Sequence, residues 1–134
     1  MRIATYQFHE QRQVGIVSAD GQSITPLQLT AEQAKTGALA IIGLGRDVLK
    51  LPTGQRLSLQ DVELQAPIPL PRRNIFCVGR NYHAHAKELS ASVFKNNTAH
   101  TESWPIVFTK VPECVVGPTD DVTLPSAVSE QIDY

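Results

Sequence analysis

Three prolines at alternate positions, Pro67, Pro69 and Pro71, restrict the fold more than any other feature of the chain. Each removes a backbone donor, fixes φ near −65° and biases the residue before it away from helix. Neither a helix nor a central sheet strand runs through such a stretch, so the chain divides there. The division predicts a small α+β module over residues 1–65 and a second domain opening at residue 66 and running to 134.

The first part reads as strands followed by a helix. Arg2 to Phe8 and Gln13 to Ser18 alternate as strands across the polar turn His9-Glu10-Gln11-Arg12. Asp20-Gly21 is a hairpin signal leading to a short strand over Gln22 to Thr25. One apolar face carrying Ile3, Val14, Ile16 and Ile24 is expected. Thr30-Ala31-Glu32-Gln33 has the form of a capping box, and Ala31, Ala34, Ala38, Ile41 and Ile42 fall on one helical face behind it. Gly37 weakens that helix by about 1 kcal/mol relative to Ala, and Gly43 and Gly45 end it. Arg46 to Leu51 fits a helical turn or an extended link equally well. Leu57, Leu59, Val62 and Leu64 suggest extended chain with a bend at Gln60-Asp61. Nothing titratable converges in this part, which reads as a packing module.

The second part opens on a run that carries chemistry. Ile75 to Val78 is a short apolar run bounded by Gly79, the pattern of a strand covered on both faces. Asn81 then caps a short helix from Tyr82 to Leu89. Tyr82, His85, Ala86 and Leu89 share one helical face, and Glu88 lies one turn beyond His85, where a carboxylate orients or charges an imidazole. A strand that ends at a glycine and delivers a His-Glu pair is the form of a catalytic corner, although a histidine on the inner face of a short helix is more often a core residue. His83 and His85 point apart in a helix and lack further ligands, so this pair does not make a metal shell. Residues 90–103 form a long polar loop of the kind used as a lid, and His100 within it is a solvated side chain. Pro105 to Lys110 is the next strand, with Lys110 at its end. Glu113 to Val116 reads as a short strand before the turn Gly117-Pro118. Asp120-Asp121 is a turn pair and not a metal site.

Charge and composition exclude several classes. The formal net charge is −1, and no basic run interleaved with aromatics occurs, which argues against a nucleic-acid partner. No segment approaches the ~20 apolar residues of a membrane span, and the first residues lack a signal-peptide core. Cys77 and Cys114 read as reduced, buried thiols of a cytoplasmic protein. Phosphate-cradling glycine motifs and an elbow serine are missing.

Val78-Gly79-Arg80-Asn81-Tyr82, followed by His85 and Glu88, resembles a motif of the fumarylacetoacetate hydrolase family. Ala66-Pro67-Ile68-Pro69, Pro105-Ile106-Val107-Phe108-Thr109-Lys110, Val116-Gly117-Pro118, Leu124-Pro125 and Ile132-Asp133-Tyr134 resemble further blocks of it, in the same order. The resemblance covers Ala66 to Tyr134. It implies an α+β, mostly β fold: a small N-terminal α+β module, then the start of a mixed β-roll catalytic domain, truncated here, in a protein that forms homodimers when complete. It implies hydrolysis of a carbon–carbon bond in small oxo or enol acids such as acylpyruvates, or related decarboxylation or isomerisation. His85 would act as the base with Glu88 as its partner, and the segment over residues 90–103 would close over the substrate. Arg80 and Lys110 would meet acidic groups of the substrate.

The family's divalent metal, magnesium or manganese, stabilises an enolate. It is held by a Glu-X-Glu immediately after the position matched by Tyr134 and by a later Asp, none of which this sequence contains. The chain alone is therefore expected to be inactive, marginally folded and poorly soluble. Two further readings remain: a non-catalytic remnant or assembly module of that family, and a cysteine hydrolase using Cys77 with His85, disfavoured because a buried strand suppresses the thiolate.

Overall fold

A computed structural model describes residues 1–79, 81–82, 84 and 106–129. They form two compact units. One combines Met1–Pro71 with Val115–Tyr134, and the other is Arg72–Cys114. The first unit is thus discontinuous in sequence. The architecture is α+β and mostly strand.

In the first unit, strands β1 (Arg2–Phe8), β2 (Gln11–Val17), β3 (Ser23–Pro26), β4 (Leu57–Ser58) and β5 (Glu63–Leu64) form one antiparallel sheet in the order β4-β3-β2-β1-β5. The two edge strands β4 and β5 are joined by four residues, three of them in a 3-10 turn, Leu59–Asp61. Such a turn rises only about 2 Å per residue. It cannot bridge the ~19 Å between the edges of a flat five-stranded sheet, so the sheet is rolled and its edges are drawn toward each other.

Rolling gives the sheet two apolar faces, where the sequence suggests one. Register sets Ile3 against Ile16 and Thr5 against Val14 on the outer face. Val14 joins Leu27, Ile41 and Val48 in a buried cluster, with Ile3, Ile16, Leu29 and Leu51 packed around it. Pairing about Asp20 and Gly21 sets Val17 against Ile24, so Ile24 belongs to the opposite face and not with Ile3, Val14 and Ile16. There it shares the inside of the roll with Tyr6, Leu57 and Leu64. Tyr6 and Ile24 are fully buried. Gly15 makes room for Ile24: a Cβ at this position would lie 2.7 Å from Ile24 Cγ1 and 2.8 Å from the Thr25 carbonyl oxygen.

The capping box forms as its sequence predicts. Gln33 N donates to Thr30 Oγ1 at 3.3 Å, and Thr30 N donates to Gln33 Oε1 at 2.9 Å. The single helix expected beyond it is broken in two, α1 (Ala31–Lys35) and α2 (Ala38–Leu44). Gly37 sits between them at φ 61°, where a Cβ would come within 2.5 Å of the Pro67 carbonyl oxygen. The break rotates the face, so Ile41 is buried while Ile42 is exposed. Gly43 does not end α2; Gly45, at φ 57°, caps it. A 3-10 helix, Gly45–Lys50, follows.

The second unit contains a two-stranded antiparallel ribbon, β6 (Ile75–Gly79) and β7 (Ile106–Lys110). Sequence predicts β6 to be covered on both faces. Among the described residues β7 is its only sheet partner, and Phe76 and Val78 are exposed. Pro112–Cys114 is a 3-10 turn and not the strand its sequence suggests, because Pro112 supplies no ladder donor. Cys114 is exposed and Cys77 half-buried, in place of the two buried thiols expected.

Candidate active site

β6 forms because Ile75, Phe76 and Val78 favour a pleated backbone, and β7 matches it residue for residue with Ile106, Val107 and Phe108. The register runs from Ile75 opposite Lys110 to Gly79 opposite Ile106. The strand ends at Gly79, and the chain passes on through Asn81 and Tyr82. Tyr82 is exposed where the sequence predicts it on an inner helical face. A Cβ at Gly79 would sit 3.6 Å from Ile106 and Phe108 side-chain atoms, in ordinary contact. Packing within the ribbon therefore does not demand glycine at this strand end.

Arg80, His85 and Glu88 lie outside the described residues, as do residues 83 and 85–89 of the helix expected over Tyr82 to Leu89 and the polar segment over residues 90–103. Lys110 is described. It closes β7, is exposed, and holds its Nζ 5.9 Å from the centre of the Phe108 ring, a cation–π contact along its own strand. The register puts Lys110 at one end of the ribbon and Gly79 at the other. Four residue steps along the strand separate the two ends, about 14 Å at ~3.4 Å each. The structure therefore does not bring Lys110 to the strand end from which the His-Glu motif departs. At Lys110's own end, Asn74 Nδ2 stands 3.5 Å from Thr109 Oγ1 across the ribbon.

Outside the ribbon, two groups among the described residues have altered proton affinity, and both are structural. Burial inside the roll pushes Tyr6 up to about 12, while its hydroxyl donates to Gln13 Oε1 at 2.8 Å. Asp20 is held below the usual carboxylate range by the hydroxyl of Ser18 and the amide of Gln22. A cleft of about 520 Å3 beside α1 is lined by Arg12 and Lys35. Arg12 donates to Gln65 Oε1 and the Lys35 carbonyl, and Lys35 pairs with Glu32, so both cations are already engaged. A cavity of about 380 Å3 between Ile3, Leu64, Pro67 and Val116 is almost wholly apolar.

Among the described residues no group of three or more His, Cys, Asp or Glu side chains is arranged to hold a metal ion. Asp120 turns its carboxylate back on the Gly117 amide at 2.6 Å, as a turn residue does. No helix among the described residues is long and apolar enough to cross a membrane.

Comparison with known proteins gives a consistent result. The profile for the fumarylacetoacetate (FAA) hydrolase C-terminal domain matches residues 74–134. An oxaloacetate tautomerase of Bacillus subtilis is 43% identical over 77 residues, 58% of this chain and 24% of that protein. A mitochondrial oxaloacetate tautomerase of Xenopus laevis is 28% identical over 142 residues, spanning 100% of this chain and 41% of the relative. The solved fumarylacetoacetate hydrolase of Exiguobacterium antarcticum superposes with a TM-score of 0.62 at 30% identity, over 98% of this chain and 43% of that one. The chain spans less than half the length of each of these relatives.

Proposed function

The chain belongs to the fumarylacetoacetate hydrolase family, and from that premise we propose that it is part of an enzyme that moves a proton on small oxo acids, interconverting their keto and enol forms. The match over residues 74–134 carries this reading, because that segment holds both His85 and Glu88. The names of the relatives favour tautomerisation over the other reactions of the family. Tautomerisation takes a proton from an enol oxygen and adds one to the double-bond carbon that does not bear that oxygen, as C=C–OH becomes CH–C=O, so atoms and charge balance without a further reactant. An imidazole suits that work because its ordinary proton affinity lies near neutrality. Glu88, three residues on, would orient the ring and offset its charge.

Arg80 is proposed to hold a substrate carboxylate through its planar fork. Lys110 is proposed as a second, more distant cation for an acidic group, reaching inward along its own side chain from the far end of the ribbon. The divalent cation implied by the family finds no ligand set among the described residues, and no step is routed through it. The free thiols Cys77 and Cys114 fit a reducing compartment such as the cytoplasm, and assembly as a homodimer is part of the proposal. A second reading, hydrolysis of a carbon–carbon bond in which the same pair activates water, draws on the likeness to the Exiguobacterium hydrolase.

The test uses a polypeptide of the relatives' full length that carries these residues. His85→Gln and Glu88→Ala are each expected to slow decay of the ultraviolet absorbance of enol-oxaloacetate, by ~10²-fold or more for the base, with the circular dichroism spectrum unchanged. Undiminished decay in both variants overturns the assignment. Release of pyruvate from an acylpyruvate, without tautomerisation, favours the second reading.

A further inference from the structure

The segment between β5 and β6 is fastened to the first unit at every residue from Gln65 to Pro69, except Ile68. Gln65 N donates to the Thr5 carbonyl at 3.0 Å, and its side chain bonds both Arg12 Nε at 2.6 Å and Gln7 Oε1 at 2.8 Å. Ala66 is buried. The Pro67 carbonyl oxygen accepts from Thr5 Oγ1 at 2.8 Å and from Ala38 N at 2.7 Å, and Ala38 N also reaches Thr5 Oγ1 at 3.1 Å. Thr5 is 1% exposed and is the sole buried polar residue of the described core. Gly37 closes the arrangement: a Cβ there would meet the Pro67 oxygen at 2.5 Å, Pro69 Cδ at 2.7 Å and Thr5 Oγ1 at 2.7 Å. Its φ of 61° is one that an alanine rarely adopts.

We propose that Thr5, Gly37 and Pro67 form a latch that sets the working length of one tether, the first of the two chain connections between the units. Latched, the free chain from Pro69 to Ile75 spans at most about 20 Å; released back to Gln65, which its own hydrogen bonds still hold, it spans about 34 Å, at ~3.4 Å per residue. The compact unit ends at Pro71, two residues past the last fastened position, as a latch at Pro67–Pro69 requires. The two hydrogen bonds on the Pro67 carbonyl are separate from those of Gln65, so losing them frees the tether beyond Gln65 while the strand ladder stays intact. Thr5 and Gly37 are therefore latch residues, independent of any catalytic role for the ribbon.

Limited trypsin digestion of the 134-residue chain tests this, because Arg72 and Arg73 are exposed within the tether. A protease needs an extended, mobile segment around its cleavage site. Thr5→Val and Gly37→Ala are each expected to speed cleavage after Arg72 or Arg73 at least tenfold. Thr5→Ser, which keeps the donor, is expected to cleave at the wild-type rate. Amide exchange is followed in parallel: Ala38 should lose protection in Thr5→Val while Ile16 and Thr25 keep theirs. The proposal is overturned if Thr5→Val and Gly37→Ala cleave no faster than wild type. It is also overturned if Thr5→Ser cleaves as fast as Thr5→Val, or if Ile16 and Thr25 lose protection together with Ala38.

Discussion

Tyr6 shows how a single buried group ties the first unit to pH. Its phenol lies inside the rolled sheet with Gln13 as a hydrogen-bond partner, and burial raises it from 10.0 to about 12. In the unfolded chain it ionises near 10. Between those values the folded state keeps a proton that the unfolded state has lost, so stability falls as pH rises. The loss across that window is on the order of 2 kcal/mol. Denaturant titration at pH 8 and pH 11.5 should show this fall in the wild type and a shallower one in Tyr6→Phe. Equal falls would mean that the phenol is not the group responsible. Asp20 works in the opposite sense. The Ser18 hydroxyl depresses its proton affinity, so the stability it contributes is present above the usual carboxylate range and is lost as pH falls through its lowered value.

At the scale of elements, the β1–β2 connection is the clearest point of strain. Phe8 pairs with Gln11, leaving a two-residue turn in which His9 and Glu10 have φ of 47° and 61°. Such turns favour Asn-Gly because side chains crowd the backbone at positive φ. His9→Asn with Glu10→Gly is expected to stabilise the unit by about 1 kcal/mol, a rise of about 4 °C in melting temperature; an unchanged or lower melt would count against a strained turn. The strands, the capping box and the ribbon were legible because each rests on near neighbours: alternation, a Thr-X-X-Gln pair and runs of branched residues. The helix break at Gly37 was not, because it depends on Pro67, thirty residues on in sequence. The face of Ile24 is hidden for a related reason: alternation alone suggests one apolar face, whereas the short link from β4 to β5 rolls the sheet and buries both. At the candidate site, the strand leading to Gly79 and the strand ending at Lys110 were legible. Their register, and with it the separation of their ends, was not, because it follows from long-range pairing.

At the scale of the whole molecule, the two units differ in how well their apolar surface is covered. The first has a core on each side of its sheet. The ribbon of the second presents Phe76, Val78 and Val107 on one face, 73%, 52% and 60% exposed. Contiguous apolar surface of this kind promotes association. Phe76→Ser with Val107→Thr is therefore expected to reduce light scattering and at least halve the binding of a hydrophobic dye in the 134-residue chain. Unchanged scattering and dye binding would assign the association to another surface. The discontinuity of the first unit also has a temporal side. Its sheet is complete in sequence by Leu64, yet the segment beginning at Val115 belongs to the same body. A ribosome adding about 5–20 residues per second emits the intervening ribbon for several seconds first. During each round of translation the finished sheet waits while the ribbon is made, and the last part of its own unit arrives only after the chain has travelled out through the ribbon and come back.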